Sequence, residues 1–417
     1  MKVLRTSGRA ASVAIEALTD RRNAAYERVL PQARRIVEQV RRGGDRALLR
    51  LRAKLDGIPS QSPLRIPEVE IHLAWESTPE PLRDAMTLAA RNIRGFAQRQ
   101  RPKDFDLKPA SGITSGQRVV PLASAGCYVP SGRYPLPSTL LMTVIPAQVA
   151  GVERIVVVSP RPTRETLAAA ALLGITEFYH LGGAHAIAAL AYGTESLPGV
   201  DKVVGPGNAW VTAAKKLVAF DCGIDMLAGP TEIVVTSETG DPAAISADLV
   251  AQAEHDPDAV AILITTRAEL AKNVISAVTK SVRGNKIATQ SLAKNGMVLV
   301  ARSVEEARDL TNRIAPEHLT VDSAADLAWV RNAGSVFVGP WSAQPLGDYV
   351  SGPNHTLPTS GVARTRGGLS VMDFLKLITV QEYTEAGVQQ LGPAAVALAE
   401  AEGLAGHAAA IRQRGER

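Results

Sequence analysis

The chain has 417 residues, 46% hydrophobic and 21% charged, a globular balance in a length too great for one ordinary core. No apolar run reaches the ~20 residues of a membrane helix. The opening MKVLRTSGRAASVAIEALTD carries an acidic residue where a signal peptide needs unbroken apolar sequence, and Cys127 and Cys222 are the only cysteines, so a reducing cytoplasm is expected. The net charge of +5 is uneven: residues 1–120 hold 23 Lys and Arg against 13 Asp and Glu, the remainder 23 against 28. Aromatic residues are only 4%, and the arginines of ERVLPQARRIVEQVRRGGDRALLRLRAKL are interleaved with apolar positions at helical spacing. They read as solvated helix faces, with neither nucleic acid nor membrane as partner.

In chain order, residues 1–21 are expected to be a helical segment, and Arg22 to Gln100 to continue helical and arginine-rich, broken by the loop DGIPSQSPLRIPE. The runs RIVVVSP, TEFYHLGG, DKVVGPGN, TEIVVTS, AVAILITT, GMVLVA and SVFVG then alternate with alanine-rich helical stretches, which predicts largely parallel sheets with ligands beyond the carboxyl ends of the strands. The expected division is a larger α/β lobe from 22–127 and 236–370, an inserted α/β lobe over 128–235, and a C-terminal helical segment over 371–417. LGGAHAIAALAYGT and VVGPGNAW each follow a strand-like run and open a helix, where N–H groups can meet phosphate. Neither is the dinucleotide fingerprint: Trp210 takes the place of the third glycine and Pro206 has no N–H to give, so the glycines can equally serve tight turns.

AQAEHDPDA puts Gln252 and His255 at i and i+3, half a metal site or a polar patch. In IAPEHLTV, Glu317 and His318 are adjacent after a proline, a pairing apt for acid–base work if both line a cleft, and a surface pair otherwise. PLGDYVSGPNHTLPTSG offers Asp348 and His355, and AEAEGLAGHAAAIRQ sets Glu402 and His407 five apart. Four of the seven histidines thus lie beside carboxylates; His72 and His180 read as ordinary strand or packing residues.

Together YVPSGRYPLPSTLLM, GGAHAIAALAYGT, GPGNAWVTAAKK, GIDMLAGPTEIVV, AQAEHDPDA, APEHLTV, GDYVSGPNHTLPT and AEGLAGH resemble the histidinol dehydrogenases, in that family's order, from about Arg41 to His407. The resemblance implies an α/β fold of two Rossmann-like lobes with largely parallel sheets, flanked by helical N- and C-terminal segments involved in dimerisation. It implies a zinc- and NAD-dependent oxidation of L-histidinol through L-histidinaldehyde to L-histidine, with one zinc per subunit in a homodimer that shares its active sites. Carried over residue by residue, the metal ligands would be Gln252, His255, Asp348 and His407, the last from the partner subunit. Glu317 and His318 would be catalytic. Thr231, His355 and Glu402 would join the metal ligands and His318 around the substrate, and Tyr128, His185 and Asn208 would meet the cofactor. The sequence departs from the family at His185 for glutamine, Thr231 for serine, Ser131 for glycine and Ala97 for histidine. Rival readings are a relative acting on another small polar alcohol such as a sulfonated diol, which the carboxylate of Glu402 would repel, a zinc hydrolase, and a non-catalytic nucleotide binder. A thiohemiacetal on Cys127 is the rival mechanism.

Overall fold

The β-branched runs become strands because each is bounded by turn residues and can bury both faces. The computed structural model describes residues 1–19, 24–131 and 134–415. The expected boundary at residues 21 and 22 lies outside them. The chain opens with β1 (Lys2–Arg5) and α1 (Arg9–Thr19), then a front section of α2 (Ala24–Glu27), α3 (Leu30–Leu55), α4 (Glu68–Glu76) and α5 (Glu80–Gln100). Strands β2 (Phe105–Ala110) and β3 (Ile113–Pro121) follow. A first alternation comprises β4 (Ser124–Tyr128), α6 (Pro137–Ala150), β5 (Arg154–Ser159), α7 (Arg164–Leu172), β6 (Glu177–His180), α8 (Gly183–Tyr192), β7 (Lys202–Val204), α9 (Ala209–Val218) and β8 (Gly223–Ile224). A second comprises β9 (Glu232–Thr236), α10 (Pro242–Ala253), β10 (Val260–Thr265), α11 (Ala268–Ser281), α12 (Lys286–Lys294), β11 (Met297–Val300), α13 (Val304–Ile314), β12 (His318–Val321) and β13 (Ser335–Val338). The chain ends with α14 (Gln344–Tyr349), β14 (Leu375–Tyr383), α15 (Glu385–Ala401) and α16 (Ala405–Gly415).

Two of the three sheets are wholly parallel, as the alternation predicts: a six-stranded sheet in the order β1-β11-β10-β9-β12-β13 and a five-stranded sheet in the order β6-β5-β4-β7-β8. Helices cover both faces of each. Val156 and Val158 point to the side packed by α3, α8 and α9, while Val157 points to the side packed by α4 to α7, the period-two alternation of a strand. In the larger sheet Val234, Ile262 and Leu299 face α1 and α13, and Val235, Leu263 and Val298 face α10 to α12. No helix among the described residues is long and apolar enough to cross a membrane.

Several elements differ from the sequence reading. Residues 2–5, expected within a helical segment, form an edge strand paired with β11. The helical front section, grouped by sequence with the larger lobe, packs on the five-stranded sheet: Val37, Val40 and Leu48 share a core with Val156 and Val158. Arg52, fully buried, donates to the carbonyls of Pro59, Ser62 and Pro63 and so folds the Pro/Ser-rich loop back on α3. Val235, the expected end of the inserted lobe, lies inside β9 of the larger sheet. The tail, expected to be helical from residue 371, contains β14, which pairs along nine residues with β3 in a third, antiparallel sheet β14-β3-β2. His72 is exposed on α4, not in a strand.

Candidate active site

A cavity of about 190 Å³ opens between the carboxyl ends of β7 and β8, represented by Gly205 and Asp225, and the amino ends of β9 and β12, represented by Thr231 and His318. The sequence reading expected polar groups at carboxyl ends. That holds for the smaller sheet, but Glu317 and His318 sit at the amino ends of the larger one, because the chain leaving β8 crosses the cavity before entering β9. A second cleft of about 650 Å³ lies beyond Pro206 and Gly207 and is lined by Tyr128, His185, Asn208 and Trp210. His255 borders both spaces.

Glu317 and His318 follow the left-handed C-cap Ala315 and Pro316 at the end of α13, so the chain turns straight into β12 with both side chains buried. Glu317 Oε2 accepts from Thr231 Oγ1 at 2.5 Å and from the Glu232 N–H at 2.8 Å, and lies 3.6 Å from His318 Nδ1. Burial pushes the Glu317 carboxyl up to about 7 despite the opposing pull of His318 and of these hydrogen bonds. Burial also works against a charged His318, yet Glu317 and Asp348 outweigh it and hold the ring above its ordinary value. His318 Nδ1 donates to the Glu232 carbonyl at 3.2 Å, which leaves Nε2 free to accept, buried without a hydrogen bond and 3.7 Å from Asp348 Oδ1.

Helix α10 starts with the Asp241 side chain capping Ala244 N–H and with Pro242 in its first turn. It stops at Ala253, so Gln252 is fully buried while His255 stands exposed beyond the helix end; the two do not share a continuous helical face. Gln252 Nε2 donates to Thr231 Oγ1, and Gln252 Oε1 is buried with no hydrogen-bond partner. Thr231 is therefore held between Gln252 and Glu317. Asp348 is nearly buried, but its closeness to the rings of His318 and His355 and the hydrogen bond from Gln344 outweigh burial and keep its carboxyl below its usual value. Its Oδ2 accepts from Gln344 at 2.9 Å. His355 Nδ1 donates to the Asp348 carbonyl at 2.8 Å and its Nε2 meets Thr139 Oγ1 at 3.2 Å, while burial lowers its pKa and keeps the ring neutral.

In the second cleft, His185 is buried and its Nε2 donates to Asp56 Oδ2 at 2.8 Å; Nδ1 has no hydrogen-bond partner. Asp56 also accepts the Gly182 N–H, and the Tyr128 hydroxyl accepts that of Gly183 at 3.1 Å. Burial pushes that phenol up to about 12. Asn208 Oδ1 is committed to capping α9 through Trp210 and Val211.

Glu402 and His407 are exposed at the junction of α15 and α16 and do not line the cavity of their own chain. Among the described residues no group of three or more His, Cys, Asp or Glu is spaced to hold a metal. Cys127 is fully buried on β4 and burial pushes its thiol up to about 12, so the thiohemiacetal route lacks an accessible thiolate. Sequence reasoning missed Asp56, Gln344, Thr139 and the backbone of Glu232. Each acts through a partner at least 85 positions away or through an unremarkable amide, and no local pattern signals it.

A family model for histidinol dehydrogenase matches residues 19–415. The histidinol dehydrogenase of Gluconobacter oxydans (strain 621H) is 44% identical, with the match covering 100% of both chains. That of Aquifex aeolicus (strain VF5) is 42% identical over 96% of each. A crystal structure of histidinol dehydrogenase from Elizabethkingia anophelis superimposes with a TM-score of 0.93 at 34% identity, over 99% of this chain and 98% of the other.

Proposed function

Because the chain belongs to the histidinol dehydrogenase family, NAD-dependent oxidoreductases of histidine biosynthesis, we propose that it oxidises L-histidinol through L-histidinaldehyde to L-histidine in two successive hydride transfers to NAD. The observation that carries this reading is the buried Glu317–His318 pair facing a small cavity that shares a wall with a larger cleft. In the first step His318 Nε2 takes the proton of the alcohol oxygen while hydride leaves the carbinol carbon for the nicotinamide, giving the aldehyde. The Nδ1 bond to the Glu232 carbonyl fixes the tautomer that this step needs. Glu317, with a carboxyl poised near neutrality, then removes a proton from water adding to the aldehyde. Once His318 and Glu317 have released their protons to solvent, the hydrate gives a hydroxyl proton to His318 and its hydride to a second NAD, and the acid results.

Gln252, His255 and Asp348, with the partner's His407, form the proposed zinc set. The ligands fit: two imidazoles, a carboxylate and an amide oxygen suit zinc, and the buried Oε1 of Gln252, which accepts no hydrogen bond, has lone pairs left for a cation. Zinc bound there would hold and orient the substrate. Thr231 keeps Gln252 and Glu317 in register, His355 steadies Asp348, and the partner's Glu402 would hold the substrate imidazole. Tyr128, His185 and Asn208 would form the cofactor wall, where His185 Nδ1 is an acceptor for a hydroxyl or amide of NAD. A homodimer is supported by apolar side chains left on the antiparallel sheet and terminal helices, among them Leu107, Ile378 and Leu398, the last 66% exposed. The buried free cysteines suit a reducing cytoplasm. The test is NADH formation by zinc-loaded protein given L-histidinol and NAD. Two NADH per L-histidine, abolished by chelation and restored by zinc, is expected; no NADH from folded, metal-loaded dimer would refute the substrate.

A further inference from the structure

The loop Gly205–Gly207 is the thin wall between the two spaces: Pro206 and Gly207 line both, and Gly205 lines the inner cavity. What holds this wall lies behind it. The Gly205 N–H donates to Asp225 Oδ2 at 2.8 Å, and the Gly205 carbonyl accepts from Lys215 Nζ at 2.9 Å, so both polar groups of this residue are gripped by one side-chain pair. Lys215 and Asp225 are bonded to each other, and their side chains are 2% and 0% exposed. Lys215 stands in the last turn of α9 and runs its stem back toward the amino end of the helix, the direction helical side chains take. Asp225 directly follows β8, beside β7, accepts also from its neighbour Met226 N–H at 2.6 Å, and offers its carbonyl to the Arg366 guanidinium. Gly205 has φ +114°, and a Cβ there would collide with the Tyr128 carbonyl oxygen, so the wall is pressed against the floor of the second cleft.

A buried ion pair is a poor device for stability alone, since desolvation offsets much of its attraction. Here its geometry converges on one glycine. We propose that Lys215 and Asp225 are positioning residues for hydride transfer: they fix the wall whose place sets how closely the substrate carbon approaches the nicotinamide. This rests on the assignment of the inner cavity to histidinol and the outer cleft to NAD. Neither residue touches the reacting atoms, and the effect is on approach distance, where a misplacement of about 1 Å costs on the order of 10²-fold in rate.

The test is the double variant Lys215→Met/Asp225→Asn, which removes both charges while keeping an amide oxygen for the Gly205 N–H. Single-turnover NADH formation is followed with L-histidinol and with L-histidinol deuterated at the carbinol carbon, alongside separate Kd measurements for NAD and histidinol. Near-native melting, nearly unchanged Kd values, a hydride step slower by roughly 10- to 10²-fold and a larger primary deuterium isotope effect are expected. An isotope effect and rate per folded site equal to wild type would overturn the proposal, whatever the change in melting temperature, because a merely structural pair alters only the folded fraction. If the double variant does not fold, Lys215→Met alone, which keeps the backbone bonds of Asp225, is expected to raise the isotope effect; an unchanged value there would overturn it equally. No NADH from the wild-type enzyme would instead defeat the functional reading, and this proposal with it.

Discussion

Replacing Glu317 by glutamine should separate the two oxidations. The amide preserves the volume and one oxygen that can accept the Glu232 N–H, now 2.8 Å from the carboxylate, but it cannot take a proton from water. Loss of a general base typically costs 10²- to 10⁴-fold, or about 3 to 5 kcal/mol of barrier. Folding should not suffer at alkaline pH. The Glu317 carboxyl rises from 4.5 to about 7 on burial. Its folded-state pKa is thus above the unfolded one, so its contribution to stability is favourable below about 4.5 and is lost as pH rises through about 7. Above that, the charge costs about 3 kcal/mol at 1.36 kcal/mol per pH unit. Glutamine removes this cost, and its oxygen at the Oε2 position can still accept from both Thr231 and the Glu232 N–H. The assay is NADH release at pH 8 from L-histidinol and, separately, from L-histidinaldehyde, with thermal melts at the same pH. We expect Glu317→Gln to melt no lower than wild type, to perform the first hydride transfer, and to stall on the aldehyde. Aldehyde oxidation at the wild-type rate would refute the assignment of Glu317 as the water-activating base. Wild-type aldehyde oxidation should in turn rise with pH through about 7, a limb absent from the variant.

His407→Asn should lower zinc content and activity together, measured by metal analysis and NADH formation; wild-type values for both would remove His407 from the metal set. Mixing His407→Asn with Glu317→Gln subunits should restore part of the activity, and none after verified subunit exchange would count against shared sites. His185→Ala should raise the Kd for NAD roughly tenfold, about the worth of one hydrogen bond, and an unchanged Kd by calorimetry would take His185 out of the cofactor wall. Burial raises the Asp248 carboxyl to about 6 with only the Gln344 N–H to offset it. Stability from this group is therefore lost as pH rises from about 4 through 6. Asp248→Asn should gain about 1 kcal/mol at pH 8, after allowance for its partial exposure, and nothing near pH 4; denaturant melts showing an equal effect at both pH values would contradict this.

The two parallel sheets were legible because each strand is a contiguous apolar run whose burial on both faces is written into its own residues. The third sheet was not. β14 owes its strand state to β3, its antiparallel partner more than 250 residues earlier, and much of its surface is exposed, so its local pattern carries little signal. β1, four residues long, is likewise defined by its neighbour β11. At the site, Glu317, His318, Gln252 and Asp348 could be singled out because dense polar residues interrupt apolar sequence, and the chain brings them together through Thr231 and the His318 ring. The Asp56–His185 pair spans 129 positions and joins the end of α3 to the first turn of α8, a contact no spacing rule encodes.

The opposed polarity of the two sheets around one cavity also sorts the ends of their helices. At the carboxyl ends of the smaller sheet, α8 and α9 begin, so their amino termini face the outer cleft beside His185 and Asn208. At the amino ends of the larger sheet, α10 and α13 finish, so their carboxyl termini deliver His255 and Glu317 to the inner cavity. Each terminus carries about half an elementary charge, positive at the beginning of a helix and negative at its end. Under the proposed function this electrical division would offer a berth for an anionic diphosphate in the outer cleft and for a cationic amino alcohol in the inner cavity.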